Sequence, residues 1–147
     1  MEGEAAMAVP RVSGVLETAL YVEDLARARD FYRRLMGFEL FFEDTRMVAL
    51  GVPAGAVLLL FRRGGSVEDV AMPGGTIPGH DAHGRIHVAF AIPRGELSGW
   101  EAHLVASGVA VTSRMVWKRG GTSLYFDDPD GNVVEVATPG LWPNYRG

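Results

Sequence analysis

The chain has no cysteine among its 147 residues, which excludes disulfides, thiolate metal ligands and cysteine nucleophiles. It also lacks any apolar run approaching the roughly 18 residues of a membrane span. The N-terminal MEGEAAMAVP is acidic and too weakly apolar for a signal peptide. Basic side chains form no stripe of the kind nucleic acid requires; they are interspersed with acids at a net charge of -4. With 48% hydrophobic residues the composition is not that of a disordered chain. These absences leave one domain, long enough to bury a core, expected in the cytoplasm with neither a membrane nor a nucleic-acid partner.

What is present is a repeat. VLETALYV (15–22) reads as a strand, and Asp24 is placed to cap a helix through LARARDFYRRLMG that closes at Gly37. FELFFED, RMVALGV and AVLLLFRR follow as short strands. Residues 64–85 hold six glycines and two prolines without periodicity, as expected of a long connector, and long connectors in compact domains are often functional. The pattern then restarts with the strand RIHVAFAI, a helix carrying Trp100 and Leu104, and the strands VAVTSRMVW, TSLYF and NVVEVAT. The predicted class is α+β: two βαβββ modules, 13–63 and 85–138, joined by connector 64–84 and flanked by tails 1–12 and 139–147. Their sheets are expected to form a half-open trough.

Strand side chains alternate between faces. Glu17, Ala19 and Tyr21 share one face of the first strand; His87, Ala89 and Ala91 share the matching face of the restarted strand, 70 residues on. In the last strand Val133, Glu135 and Ala137 oppose Val134 and Val136. Glu17, His87 and Glu135 are each followed two residues later by alanine, which leaves room beside the charge. Two carboxylates and an imidazole converging on a trough would repel one another and attract a cation. Three such ligands with open positions suit a catalytic divalent ion: manganese, iron, nickel, zinc or magnesium. Each residue alone also fits a sheet-edge ion pair or a satisfied core histidine; the shared register is what joins them. His80 and His83, in GHDAHGRIH, read as solvent-exposed loop residues or as pocket-lining groups.

DDPDGNVVEV (127–136) looks at first like a calcium loop. With Gly131 at loop position 6, position 1 becomes Phe126 and position 12 Ala137, and the flanks are strands rather than helices. The stretch is turn chemistry instead, with Pro129 and Gly131 setting the backbone and the aspartates bonding locally.

Three segments, ETALYVEDLARARDFYRRLMGFEL, GRIHVAFAI and GGTSLYFDDPDGNVVEV, carry a resemblance to the vicinal oxygen chelate superfamily over about residues 13–138. That superfamily includes glyoxalase I, fosfomycin and bleomycin resistance proteins, methylmalonyl-CoA epimerase and extradiol dioxygenases. The resemblance implies the metal ligands Glu17, His87 and Glu135, with glutamate where the first position is usually histidine or glutamine. It implies chelation of vicinal oxygens on the metal by a lyase, isomerase or dioxygenase, with Glu17 or Glu135 as base and Tyr125 donating a hydrogen bond. Ser123, Lys118, Arg119 and Tyr21 are the candidate substrate contacts. A fourth ligand, as in glyoxalase I, falls on Leu59, which favours a three-ligand site. A homodimer is implied as well. The alternative is a metal-free drug- or metabolite-binding resistance protein of the bleomycin-resistance type.

Overall fold

The computed structural model describes residues 8–146; the first seven positions of the expected N-terminal tail, and Gly147, lie outside the described residues. The first module runs β1 (Glu17–Val22), α1 (Leu25–Met36), β2 (Glu39–Glu43), β3 (Met47–Val52) and β4 (Ala56–Arg62). The connector holds a small hairpin, β5 (Val70–Met72) and β6 (Gly75–Ile77). The second module runs β7 (His87–Ala91), α2 (Leu97–Ala106) after a 3-10 turn at Arg94–Glu96, β8 (Ser113–Val116), β9 (Thr122–Asp127) and β10 (Val133–Ala137). The connector hairpin was not legible in the sequence because three-residue strands are too short to show alternation.

The two modules are topological copies. One sheet has the order β1-β4-β3-β2 and the other β7-β10-β9-β8, each with its first strand parallel to its last. Register makes the copy exact at the residue level: Glu17 lies beside Val57 and Ala19 beside Leu59, while His87 lies beside Val133 and Ala89 beside Glu135. Leu59 therefore occupies in the first sheet the place of Glu135 in the second.

Helix α1 begins where Asp24 accepts the Arg27 N–H at 3.0 Å, and ends where Gly37, at φ 73°, returns its N–H to the Arg33 carbonyl. Its buried stripe of Ala28, Tyr32 and Leu35 packs into a cluster that takes Leu20, Val22, Leu58 and Leu60 from the first sheet. The same cluster contains Val88, Val134, Val136, Leu124 and Phe126 from the second sheet, and Leu104 from α2. Each buried leucine contributes about 1.5–3 kcal/mol of apolar transfer. One face of each sheet is spent on this shared core, so the opposite faces are left for other work.

The turn between β9 and β10 ties the modules together. Asp128 is buried, and its carboxylate accepts the N–H groups of Asp130 and Asn132, the Asn132 amide and the Tyr32 hydroxyl at 2.7 Å. Asp130 accepts the Glu23 N–H at 2.8 Å and pairs with Arg27 at 3.1 Å. The aspartates thus serve the turn and the α1 end of the first module. Gly131, at φ 81°, makes the reversal possible.

Burial first, and the Asp128 charge second, push the Tyr32 hydroxyl above its ordinary value of 10.0. The unfolded chain releases this proton near pH 10 and the folded protein keeps it. Tyr32 therefore contributes stability that is full below that pH and declines as pH rises, by up to about 1.4 kcal/mol per unit for the single proton. In urea unfolding between about pH 9 and 11, Tyr32→Phe should show a decline shallower by an amount that grows toward one proton as pH passes about 10. An unchanged slope would mean that folding does not retain the Tyr32 proton.

Candidate functional site

The second sheet turns a polar row outward from the core. Glu135 sits on β10 between two neighbours, with Ala89 of β7 on one side and Tyr125 of β9 on the other. Ala89 is small, and the side chain of His87 leans across it until Nε2 is 3.2 Å from Glu135 Oε1. His87 is half exposed, whereas the Glu135 side chain is only 6% exposed. Behind the carboxylate, the Trp117 indole N–H donates to the Ser123 hydroxyl at 2.9 Å, and that hydroxyl donates to Glu135 Oε2. Burial and then the Glu135 charge push the Tyr125 hydroxyl above its ordinary range, so it is protonated and able to donate.

The His87 ring is fixed in a telling way. Its Nδ1 lies 3.0 Å from the Val133 carbonyl oxygen, and a carbonyl only accepts, so Nδ1 carries the hydrogen. In the neutral ring Nε2 then presents a lone pair to the Glu135 carboxylate. Two acceptors that close call for a cation between them, either the proton of an imidazolium or a metal ion. A histidine whose second nitrogen donates to a backbone carbonyl is the arrangement that orients a metal ligand.

Glu17 is not part of this group. It lies exposed near the start of β1, on the other sheet, and among the described residues no three histidine, aspartate or glutamate side chains gather as a metal site would need. The single chain thus brings together two of the three expected ligands. The reason is topological: β1 and β7 belong to separate sheets with no ladder between them, so the matching register does not make the residues neighbours.

The outward face of the first sheet is aromatic rather than polar. Tyr21 stacks on Phe61 at 5.7 Å between centroids, and its hydroxyl is 2.6 Å from His80 Nδ1. His80 packs edge-on against Phe61 at 4.5 Å. Phe41 lies over Gly51, where any Cβ would strike its ring. The connector therefore folds back onto this face through His80, whose N–H bonds the Ser66 carbonyl within the connector itself. His83 instead points outward and pairs with Asp81 at 3.0 Å.

Of the remaining candidates, Ser123 is fully buried beside Glu135, and Lys118 and Arg119 stand exposed on the β8–β9 hairpin. Arg119 turns toward the C-terminal segment, lining a concavity with Trp142 and Tyr145. Arg114, a third hairpin cation, pairs with Glu101. Trp117 was missed in the sequence: it follows the last residue of β8, where alternation no longer says which way a side chain points.

The sequence pattern of the glyoxalase/bleomycin resistance protein/dioxygenase superfamily matches residues 14–136. The chain belongs to this superfamily. The α+β class and the paired four-stranded sheets are those of the family. Among solved structures, the chain is similar to a lactoylglutathione lyase from Agrobacterium tumefaciens, with 34% identity over 91% of this chain and 99% of that one, and a TM-score of 0.83. A glyoxalase/bleomycin resistance protein/dioxygenase from Nocardioides is 21% identical over 99% of this chain and 97% of that one, TM-score 0.70. A fosfomycin resistance protein from Listeria monocytogenes is 21% identical over 86% of this chain and 91% of that one, TM-score 0.64. The latter two share the fold. No helix among the described residues is long and apolar enough to cross a membrane.

Proposed function

We propose that the chain is a metal-dependent enzyme of the superfamily, acting on a small molecule whose adjacent oxygens chelate a divalent ion. The observation that carries this reading is the His87–Glu135 pair, with Nδ1 committed to the Val133 carbonyl and Nε2 3.2 Å from Oε1. The residues fit a metal: His87 and Glu135 would hold it, with Glu17 as third ligand from a second copy of the chain. The ion would supply Lewis-acid stabilisation of negative charge developing on a substrate oxygen.

The chain's own residues prepare the rest. Ser123 and Trp117 hold one oxygen of Glu135 so that the other stays turned toward His87. Tyr125, kept protonated, is the hydrogen-bond donor to substrate. Glu17, exposed and unencumbered, is the better candidate for proton transfer, because Glu135 is occupied on both oxygens. Tyr21, Phe61 and Phe41 supply an apolar wall. Homodimer formation is part of the reading. The outward faces bearing Glu17 and His87 lie on different sheets of one chain, and a second copy set against them in two-fold relation would join the two halves. The likeness to a lactoylglutathione lyase supports lyase or isomerase chemistry, while Leu59 in the place equivalent to Glu135 supports three ligands rather than four.

The aromatic wall also favours a second reading, a metal-free protein that sequesters a drug or metabolite. Metal analysis of protein purified without chelator, together with sedimentation equilibrium, separates the two. The enzyme reading expects about one divalent ion per chain in a dimer, lost in His87→Ala and in Glu17→Ala with the dimer retained. Protein that holds no metal even after reconstitution with each of the five candidate ions would leave the sequestration reading standing alone.

A further inference from the structure

The C-terminal segment, expected only as a tail, is built into the molecule. The Tyr145 hydroxyl lies 2.9 Å from the Ile92 carbonyl and 3.0 Å from that of Ala137. The Gly121 N–H bonds the Gly140 carbonyl at 3.1 Å, and the two backbones approach so closely that a Cβ on either would collide with the other. These contacts draw three separate pieces of chain to one place: the turn after β7, the β8–β9 hairpin and the C-terminal segment. Each contributes an arginine. Arg94, Arg119 and Arg146 line a concavity of about 270 Å³ with Trp142 and Tyr145, and among the described residues no carboxylate side chain lines it.

The charge arrangement needs an explanation. Among the described residues none of these three arginines has an ion-pair partner, although the chain carries 18 acidic residues and a net charge of -4. Arg146 makes a bond to the Pro143 carbonyl, which orients it without neutralising it. Three uncompensated guanidinium groups repel one another and together favour an anion of more than one charge. Guanidinium forks match the oxygens of a phosphate two at a time. Next to the arginines, and sharing Arg94, Pro139, Tyr145 and Arg146, lies a second hollow of about 430 Å³ floored by Ala91, Ile92 and Pro93. The exposed Trp142 indole offers a flat wall.

We propose that this two-lobed groove binds a small organic phosphate, its phosphate among Arg94, Arg119 and Arg146 and its apolar body over Ala91 and Ile92. The site is separate from the His87–Glu135 pair: Ala91 lies four residues along β7 from His87, roughly 13 Å at strand spacing, and no metal is needed.

Calorimetric titration of the full chain with inorganic phosphate, phenyl phosphate and benzoate tests it. Phenyl phosphate should bind saturably and tighter than either of the other two. Replacing both Arg94 and Arg119 with alanine should weaken it by roughly tenfold or more, with circular dichroism confirming the fold. The double lysine variant should recover only part of the affinity, since charge remains but the fork is lost. Because phosphates also ligate metals, the titration is repeated on His87→Ala, where binding should be unchanged; loss of binding there would move the anion to the metal site and overturn the proposal. Benzoate binding as tightly as phenyl phosphate would overturn the phosphate assignment, and inorganic phosphate doing so would overturn the apolar lobe. No saturable heat, or heat indifferent to the arginines, would overturn the site itself. None of these results depends on whether the enzyme reading holds.

Discussion

Asp128→Ala is expected to lower folding stability by about 3–5 kcal/mol, a large part of what a domain of this size possesses. The carboxylate is buried and is the common acceptor for four donors: two backbone N–H groups of the turn, the Asn132 amide and the Tyr32 hydroxyl. Truncation leaves all four without their partner, and three of them, the Asn132 N–H, the Asn132 amide and the Tyr32 hydroxyl, are buried. It also releases Tyr32, fully buried on α1, from the turn of the other module, so the loss falls on the junction between modules as well as on the hairpin. Asp128→Asn should not rescue it. Donors approach both carboxylate oxygens, and an amide nitrogen in either position would face a hydrogen. Urea unfolding measures the loss, and a value under about 1 kcal/mol would show that the turn is not the latch described.

The second large effect is functional. Glu135→Gln is expected to cut divalent-metal affinity at least 100-fold, more than changes to groups that merely orient a ligand, and activity with it. The substitution keeps the shape of the side chain, and the Ser123 hydroxyl can still donate to the amide oxygen, so stability should move by less than about 1 kcal/mol. This contrast separates two of the four acidic positions of one ten-residue stretch: Asp128 maintains the fold and Glu135 the proposed chemistry. Ser123→Ala should lie between wild type and Glu135→Gln, weakening metal affinity roughly tenfold by freeing the carboxylate to rotate. Metal affinity unchanged in Glu135→Gln would remove Glu135 from the ligand set.

Much of this was readable without coordinates because it depends on local rules. The period of α1, its Asp24 cap and its Gly37 terminus are spelled by neighbouring residues. So is the turn at 127–132, whose proline, glycine and aspartates leave few other conformations. Strand alternation assigned Glu17, His87 and Glu135 to the faces opposite the core residues Leu20, Val88 and Val134. The correspondence of Leu59 with Glu135, obtained by counting, reappears in the strand register.

Tertiary structure decided what alternation cannot express, which is the relation of one sheet to another. It paired His87 with Glu135 and set Glu17 on a different sheet. It turned the connector's His80 onto Tyr21 and Phe61 while leaving His83 on the outside, though the two lie three residues apart. It brought Trp117 behind Ser123 and folded an apparent tail into a wall of an arginine-lined groove. Local sequence determined the elements and the faces they present, because backbone geometry and side-chain period act over a few residues. Which of those faces meet depends on how two copies of a module share one core, and that is settled only by contacts between residues far apart in the chain.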